Sequence, residues 1–305
     1  MVALRKSKVL ILMGGVSSER LISIKTGNQV YAAIKDIYDV KKILVSKNIK
    51  KLIDILVNEK PNFIFNALHG RFGEDGQLQS ILNSLKIPYT HSGVLSSALA
   101  MNKYLAKIVF KSRGINCPHG ILVNSQTIKN HKIGYPFIIK PNNGGSSIDM
   151  HIIRNKKDKN KLNLFFEKNE LGLVEEYIPG REITVGIFNN KVCGITEIVF
   201  SDLLYDYNKK YLNVAKHSLN PIMPNSIKKK FEKYSISAHR ILGCNFLSRV
   251  DFKYNEKNKK IYILEVNTQP GLTKNSLLPE MLSKNRINFQ EMCHYIIQNS
   301  SCELS

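Results

Sequence analysis

Apolar runs and helix-period segments alternate without a break across residues 8–96, and this alternation constrains the fold more than any other feature of the chain. "KVLILMGG" reads as a strand at roughly 8 to 13. "SSERLISIKTGNQVYAAI" reads as a helix with serine at its N-cap and Glu19 in its first turn. The strand "YDVKKILV", the helix "IKKLIDILVNE", the strand "PNFIFNAL" and the helix "DGQLQSILNSLK" follow, and "IPYTHSG" closes the unit. Strands joined by helical crossovers run parallel, so this stretch predicts an α/β unit with helices flanking a parallel sheet. The first apolar run looks superficially like a secretion signal. It leads through Gly14-Gly15 straight into a helix start, with no small-residue cleavage site, and is read as the first core strand.

Beyond this unit the rhythm changes. "SALAMNKYLAKIVFKSRG" predicts one long amphipathic helix from 97 to about 115. Two strands then flank a loop in "PFIIKPNNGGSSIDMHII", and "LGLVEEYIPGREITVGIF" forms another strand pair. The last third predicts strands near 192–200, an irregular loop near 201–224, a helix near 226–242, a hairpin over 248–267 and a helix near 289–299. The 305 residues suit two or three compact units of ordinary size, divided as 1–96, 97–183 and 184–305. The fold class is α/β followed by α+β.

The formal net charge is +21, which raises the thought of nucleic acid. The basic residues are dispersed, however, and their clumps at 154–161, 228–233 and 255–260 carry no interleaved aromatics on which bases could stack. The charge is read as solvated surface that helps gather anionic substrates, with no nucleic-acid partner. The five cysteines are scattered and form no CxxC pair, which fits reduced thiols in a cytoplasmic protein. No run of 18 apolar residues exists, so no membrane span is expected.

The chemistry concentrates in a few places. In "LSRVDFKYNEKNKKIYILEVNTQPG", pairing Asn255 with Ile261 sets Asp251 opposite Glu265 and Arg249 opposite Asn267. All four then share one face, and Val250, Phe252, Leu264 and Val266 form the core face. Two facing carboxylates with an amide oxygen are hard donors that suit Mg²⁺, whose shell substrate phosphates can complete. The same set also reads as an Arg249–carboxylate cluster on a solvated face. Pro270-Gly271, directly after the last donor, favours a site, because glycine lets backbone N–H groups approach a ligand.

"FIIKPNNGGSSIDM" ends a strand at Lys140 and continues through Gly144-Gly145-Ser146-Ser147. Small residues there can cradle phosphate oxygens, with Lys140 and the helical Lys103 as cations, although the same loop alone is an ordinary hairpin turn. Glu175, Glu176, Tyr177 and Ile178 precede a Pro-Gly and could wall an adenine, or be a plain strand and turn. Glu19 and His69 stand after strands of the first unit, where open α/β sheets bind ligands.

Together, "GGVSSERLIS", "ALHGRFGEDGQLQ", "KIPYTHSGVLSSALAMNK", "IIKPNNGGSS", "EEYIPGREITV", "YDYNKKY", "RVDF" and "EVNTQPGLTKNSLLP" resemble the D-alanine–D-alanine ligase family of the ATP-grasp superfamily, in order and across nearly the whole chain. The resemblance implies an ATP-grasp fold preceded by a parallel-sheet N-terminal domain. It implies ATP and D-alanine as substrates, a D-alanyl phosphate intermediate, two Mg²⁺ or Mn²⁺ ions per site, a homodimer, and a role in peptidoglycan precursor synthesis. On it, Asp251, Glu265 and Asn267 hold the metal. Lys103, Lys140 and Ser146 meet phosphates, and Glu175, Glu176, Ile178 and Glu182 line the adenosine. Glu19, helped by His69, holds the first ammonium, and Arg249 with the Gly271 N–H forms the oxyanion hole. Ser276 and Leu277 bind the second carboxylate at a helix start, and Lys210 and Tyr211 belong to a lid, with Tyr211 linking to Glu19 and Ser146. Two departures stand out: the stretch "LNVAKHSLNP" after Tyr211, and Asp149 where the pattern has glycine. Tyr211 favours an amine acceptor, whereas His217 keeps open a relative that uses D-lactate or D-serine.

Overall fold

A computed structural model describes residues 6–145, 149–199 and 216–303. Ser146, Lys210 and Tyr211 lie outside the described residues. The first unit forms as its alternation predicts. Strands β1 (Lys8–Gly14), β2 (Asp39–Val45) and β3 (Phe63–Asn66) make a parallel sheet in the order β2-β1-β3. Helices α1 (Arg20–Ile34) and α2 (Ile49–Glu59) are its connections, and α3 (Gln77–Ser84) follows β3. The central strand β1 is buried over Val9–Leu12, as a parallel strand covered on both faces must be.

The predicted helix over 97–115 is two helices, α4 (Val94–Met101) and α5 (Lys103–Ser112). Asn102 breaks them. Its N–H caps α4 on the Ala98 carbonyl at 3.2 Å, and its side chain accepts from the Leu105 N–H at 3.0 Å to start α5. Asparagine competes well as an N-cap, so an amphipathic pattern that runs unbroken in sequence can still hide a joint.

An antiparallel sheet in the order β4-β7-β5-β6 follows, from β4 (Gly120–Val123), β5 (Phe137–Pro141), β6 (His151–Ile153) and β7 (Gly172–Glu176), with α6 (Lys159–Lys168) packed on it through Phe165. A second antiparallel sheet runs β10-β9-β8-β11-β12, from β8 (Arg181–Phe188), β9 (Lys191–Val199), β10 (Lys216–Leu219), β11 (Leu247–Asn255) and β12 (Lys260–Asn267). Helix α7 (Asn225–Ile241) buries Ile227, Phe231 and Ala238 against it, joined by Ala106 and Phe110 of α5. Helices α8 (Leu277–Lys284) and α9 (Phe289–Gln298) then return to the first unit. Leu278, Leu282, Met292 and Ile296 share one apolar cluster with Val9, Ile11, Val30 and Phe65.

The β11–β12 register corrects one expectation and keeps another. Asn255 pairs with Lys260, and Tyr254 pairs with Ile261, one residue off the predicted register at the turn. A bulge then adds one residue to β12, so that Asp251 still faces Glu265 and Arg249 still faces Asn267. The extra residue is Leu264, which is only half-buried, and the core face of β12 is carried by Ile261, Ile263 and Val266.

Candidate active site

Three strand ends and two loops converge at one place because side chains of α1 tie them together. Ser23 accepts from the Gly14 N–H at 2.8 Å and donates to the Ala67 carbonyl at 2.7 Å, which fixes the ends of β1 and β3 side by side. The expected serine cap of α1 does not form: Glu19 occupies the N-cap position. The Ser17 hydroxyl instead donates to the His69 carbonyl at 2.6 Å. This stitches the loop after β1 to the loop after β3 and leaves the Glu19 carboxylate between glycines. A Cβ on Gly70, whose φ is +71°, would come within 3.1 Å of Glu19 Oε2, and one on Gly145 within 3.5 Å. Glu19 therefore meets the glycine loop of the second unit.

His69 is buried behind Glu19. Its Nδ1 lies 2.9 Å from Glu74 Oε1, and its Nε2 lies 3.2 Å from Thr26 Oγ1. Burial alone would push the imidazole down, but the bond and charge of Glu74, with the charge of Glu19, outweigh it and hold His69 above its ordinary value. Glu74 lies in the same loop as His69, five residues on. Its contact with His69 became visible only once the loop was folded.

Gln269 is a second residue that the motifs contained without explaining. Buried, it donates to the Asn66 carbonyl at 3.2 Å and to the Leu68 carbonyl, and it accepts from Asn66 Nδ2 at 2.9 Å. The Lys274 N–H also bonds Gln29 Oε1 on α1 at 2.8 Å. These bonds latch the turn after β12 onto the end of β3. Just beyond, Ser276 N-caps α8 without a side-chain cap bond to that helix. Its hydroxyl turns back instead, 2.8 Å from Thr273 Oγ1 and accepting from the Thr273 N–H at 3.1 Å. A Cβ on Gly271 would sit 3.1 Å from Ser276 Oγ, so glycine lets the turn come close to the start of α8, where Leu277 follows Ser276.

The carboxylates sit on the hairpin. Arg249 grips Asp251 with two bonds, Nε to Oδ1 at 3.1 Å and Nη2 to Oδ2 at 3.0 Å, and the Thr184 hydroxyl donates to Oδ1 at 2.6 Å. Burial works against the Arg249 charge, yet Asp251 facing it keeps the guanidinium above its ordinary value. Lys103 Nζ lies 3.4 Å from Glu265 Oε2 and donates to the Gly144 carbonyl. The Asn267 amide oxygen accepts from the Gln269 N–H at 2.9 Å. Among the described residues no group of three or more His, Cys, Asp or Glu is arranged to hold a metal. The donor set is two carboxylates and an amide oxygen on one face, which matches a cation that takes the rest of its shell from substrate phosphates.

The phosphate-loop residues are tied to α5. The Lys103 N–H donates to the Asn142 carbonyl at 3.1 Å, and Asn142 Oδ1 accepts from the Tyr104 N–H at 2.9 Å. Lys140 does not stand alone on its strand: its Nζ is 2.8 Å from Glu175 Oε2, and Lys107 Nζ is 2.7 Å from Glu175 Oε1. The Glu175 side chain is 1 % exposed and takes part in this triad. Burial would raise its carboxyl, but the two ammonium groups outweigh burial and hold it below the ordinary range. Ile178 is buried close by, Glu176 bonds through its N–H to the His119 carbonyl at 2.9 Å, and Glu182 pairs with Lys253 at 3.2 Å. Gly180 makes this turn possible, since a Cβ there would fall 2.1 Å from the Tyr254 carbonyl. Asp149 adopts a φ of +54°, a conformation in which glycine is at ease, and its carboxylate lies 3.8 Å from Lys168. His217 Nδ1 is 2.7 Å from Glu280 Oε2.

This constellation joins the Glu19 carboxylate, a glycine loop flanked by Lys103 and Lys140, the two-carboxylate hairpin and the start of α8. The chain as a whole has known relatives. The family model for the D-ala D-ala ligase C-terminus matches residues 109–298. D-alanine–D-alanine ligases are similar to it over its length: that of Acidiphilium cryptum at 38% identity, covering 97% of this chain and 99% of the relative, and that of Pelagibacter ubique at 41%, covering 96% and 98%. Among solved structures, a D-alanine–D-alanine ligase from Bacillus anthracis complexed with ATP superposes with a TM-score of 0.82 at 30% identity, with 96% of each chain covered. A second structure of the Bacillus anthracis enzyme gives 0.83 at 33%, covering 96% of this chain and 97% of the other.

Proposed function

Because this chain belongs to the D-alanine–D-alanine ligase family, we propose that it joins two D-alanine molecules to D-alanyl-D-alanine at the expense of ATP, for peptidoglycan precursor synthesis. The observation that carries the reading is the pairing of Asp251 with Glu265, together with Lys103 at the start of α5, which reaches both Glu265 and the Gly144 carbonyl of the glycine loop. That arrangement suits a triphosphate held by cations from one side and by a metal from the other.

The reaction has two transfers. The carboxylate of one D-alanine attacks the γ-phosphorus of ATP and ADP leaves, giving a D-alanyl phosphate. The amine of the second D-alanine then attacks the carbonyl carbon, and phosphate leaves with the carbon–oxygen bond electrons. The protein supplies no covalent nucleophile; it orients groups and stabilises charge. Glu19 takes the ammonium of the first D-alanine, with His69 held behind it by Glu74. Arg249 and the Gly271 N–H face the oxygen that gains charge as the carbonyl becomes tetrahedral. Ser276 and the N–H groups at the start of α8, with Leu277, receive the second carboxylate, an anion at a helix N-terminus. Lys103 and Lys140 meet phosphate oxygens, with Glu176, Ile178 and Glu182 along the adenosine. Asp251, Glu265 and Asn267 would hold Mg²⁺ or Mn²⁺, which supplies neutralisation of phosphate charge.

The five cysteines are all free thiols, in keeping with a cytoplasmic setting, and among the described residues no helix is long and apolar enough to cross a membrane. A homodimer is part of the proposal, and light scattering on the eluting protein tests it. His217 is engaged by Glu280, so nothing favours a hydroxy-acid acceptor over an amine. The test is direct: purified protein with ATP, Mg²⁺ and D-alanine releases phosphate and forms the dipeptide, and L-alanine does not substitute. Absence of phosphate release with every D-amino acid offered would sink the reading.

A further inference from the structure

Lys107 belongs to none of the motifs named above. It lies one turn after Lys103 on α5, and its side chain is 3 % exposed. Burying an ammonium is costly, and burial does push Lys107 below its ordinary value. What faces it is Glu175, at 2.7 Å through Oε1, while Lys140 takes Oε2 at 2.8 Å. Two cations and one carboxylate are thus enclosed together, with one positive charge in excess. The Cys117 thiol, which donates to the Lys107 carbonyl at 3.6 Å, adds no second carboxylate.

The excess matters because of where Lys140 sits, at the end of β5 before the glycine loop. With Glu175 as its sole partner, Lys140 would be half of a neutral pair and would offer a phosphate little attraction. We propose that Lys107 is a positioning residue for the nucleotide: by engaging the other oxygen of Glu175, it leaves Lys140 oriented by the carboxylate but not neutralised by it. This rests on the reading of Lys140 as a phosphate ligand.

Charge balance distinguishes this role from simple packing. Lys107→Met keeps the length of the side chain and removes its charge, which leaves Lys140 and Glu175 as a neutral pair. The expected result is a rise in KM for ATP of about tenfold, with kcat within about twofold and KM for D-alanine unchanged. Adding Glu175→Gln to that variant frees the Lys140 charge again and recovers at least half of the loss on a logarithmic scale. Lys107→Arg, which keeps the charge, retains most of the affinity. A purely structural Lys107 predicts the reverse order, with the double variant binding ATP no better than the single one. The proposal is overturned if Lys107→Met leaves KM for ATP unchanged, or if the double variant is the weaker. Thermal unfolding of each variant checks folding, and Lys107→Gln carries the same comparison if the Met variant does not fold. Lys140→Met separates the two levels. If it leaves KM for ATP unchanged, the phosphate-ligand reading fails and this inference falls with it. If it raises KM while Lys107→Met does not, this inference alone fails.

Discussion

Asp251 has both carboxylate oxygens bound by Arg249 and one also by Thr184, so its position is fixed before any ligand arrives. Glu265 lies 3.4 Å from Lys103, and its side chain is 33% exposed. Removing its charge is therefore expected to act on chemistry more than on folding. Glu265→Gln should lower phosphate release by at least about a hundredfold, as a lost metal ligand costs several kcal/mol of transition-state stabilisation, with its thermal unfolding little changed. Arg249→Met, deprived of an oxyanion donor, should lose about 10²–10³ in kcat. Buried histidines govern the acid limb of stability. His91, with both ring nitrogens unpartnered, is pushed by burial down to about 3, and His239 is pushed by burial to about 4. Below the ordinary histidine value the unfolded chain takes up protons that these two folded sites refuse. Stability is therefore full above about pH 6.5 and falls by about 1.4 kcal/mol per pH unit for each group as pH drops toward 4. Urea unfolding between pH 7 and 4.5 should show the slope, and His91→Asn, which tolerates the φ of +76° there, should halve it. The chemistry-bearing side chains were legible because short motifs expose them. Thr184, Gln269 and Lys107 were not, because their roles exist only as contacts between segments far apart in sequence, and Glu74 was not, because its contact with His69 depends on how the loop between them folds.

At the level of elements, the strands and helices of residues 8–84 could be read in type and order, with ends off by up to three residues, since the amphipathic period is clear there. The joint at Asn102 and the bulge at Leu264 could not. Yet β12 carries a trace of its bulge: buried residues fall at 261 and 263 and then at 266, a spacing of two followed by three, where a regular strand alternates strictly. That switch is what keeps Asp251 facing Glu265 although the turn is registered one residue differently from the simple alternation. Asn102 also links an element boundary to the site, because the cap it provides starts the helix that carries Lys103 and Lys107. Asn102→Ala should cost about 1 kcal/mol of stability, measured by denaturant unfolding, and should raise KM for ATP while leaving KM for D-alanine unchanged.

For the whole molecule, the Gln269 latch and the apolar cluster shared between α8, α9 and the face of β1 help join the ATP-grasp part to the parallel-sheet unit before it. Gln269→Ala leaves buried Asn66 and Leu68 carbonyls without their donor, which should cost about 1–3 kcal/mol in denaturant unfolding. Because the latch sets the turn that carries Gly271 against the loop that carries His69, kcat should fall with it. The order of elements told which units the chain contains, but not that its two ends pack together, since apolar period says a face is covered without saying by what. The shared cluster also has a temporal side. During synthesis β1, α1 and β3 emerge first, while Met292 and Ile296, which complete the apolar cluster they share, follow only after nearly the whole chain has been made. At about 5–20 residues per second the delay is on the order of tens of seconds. Throughout it the cluster that Val9, Ile11, Val30 and Phe65 begin stays unfinished on the side that α9 closes, so a nascent chain halted before residue 289 should be far more open to protease than the finished one.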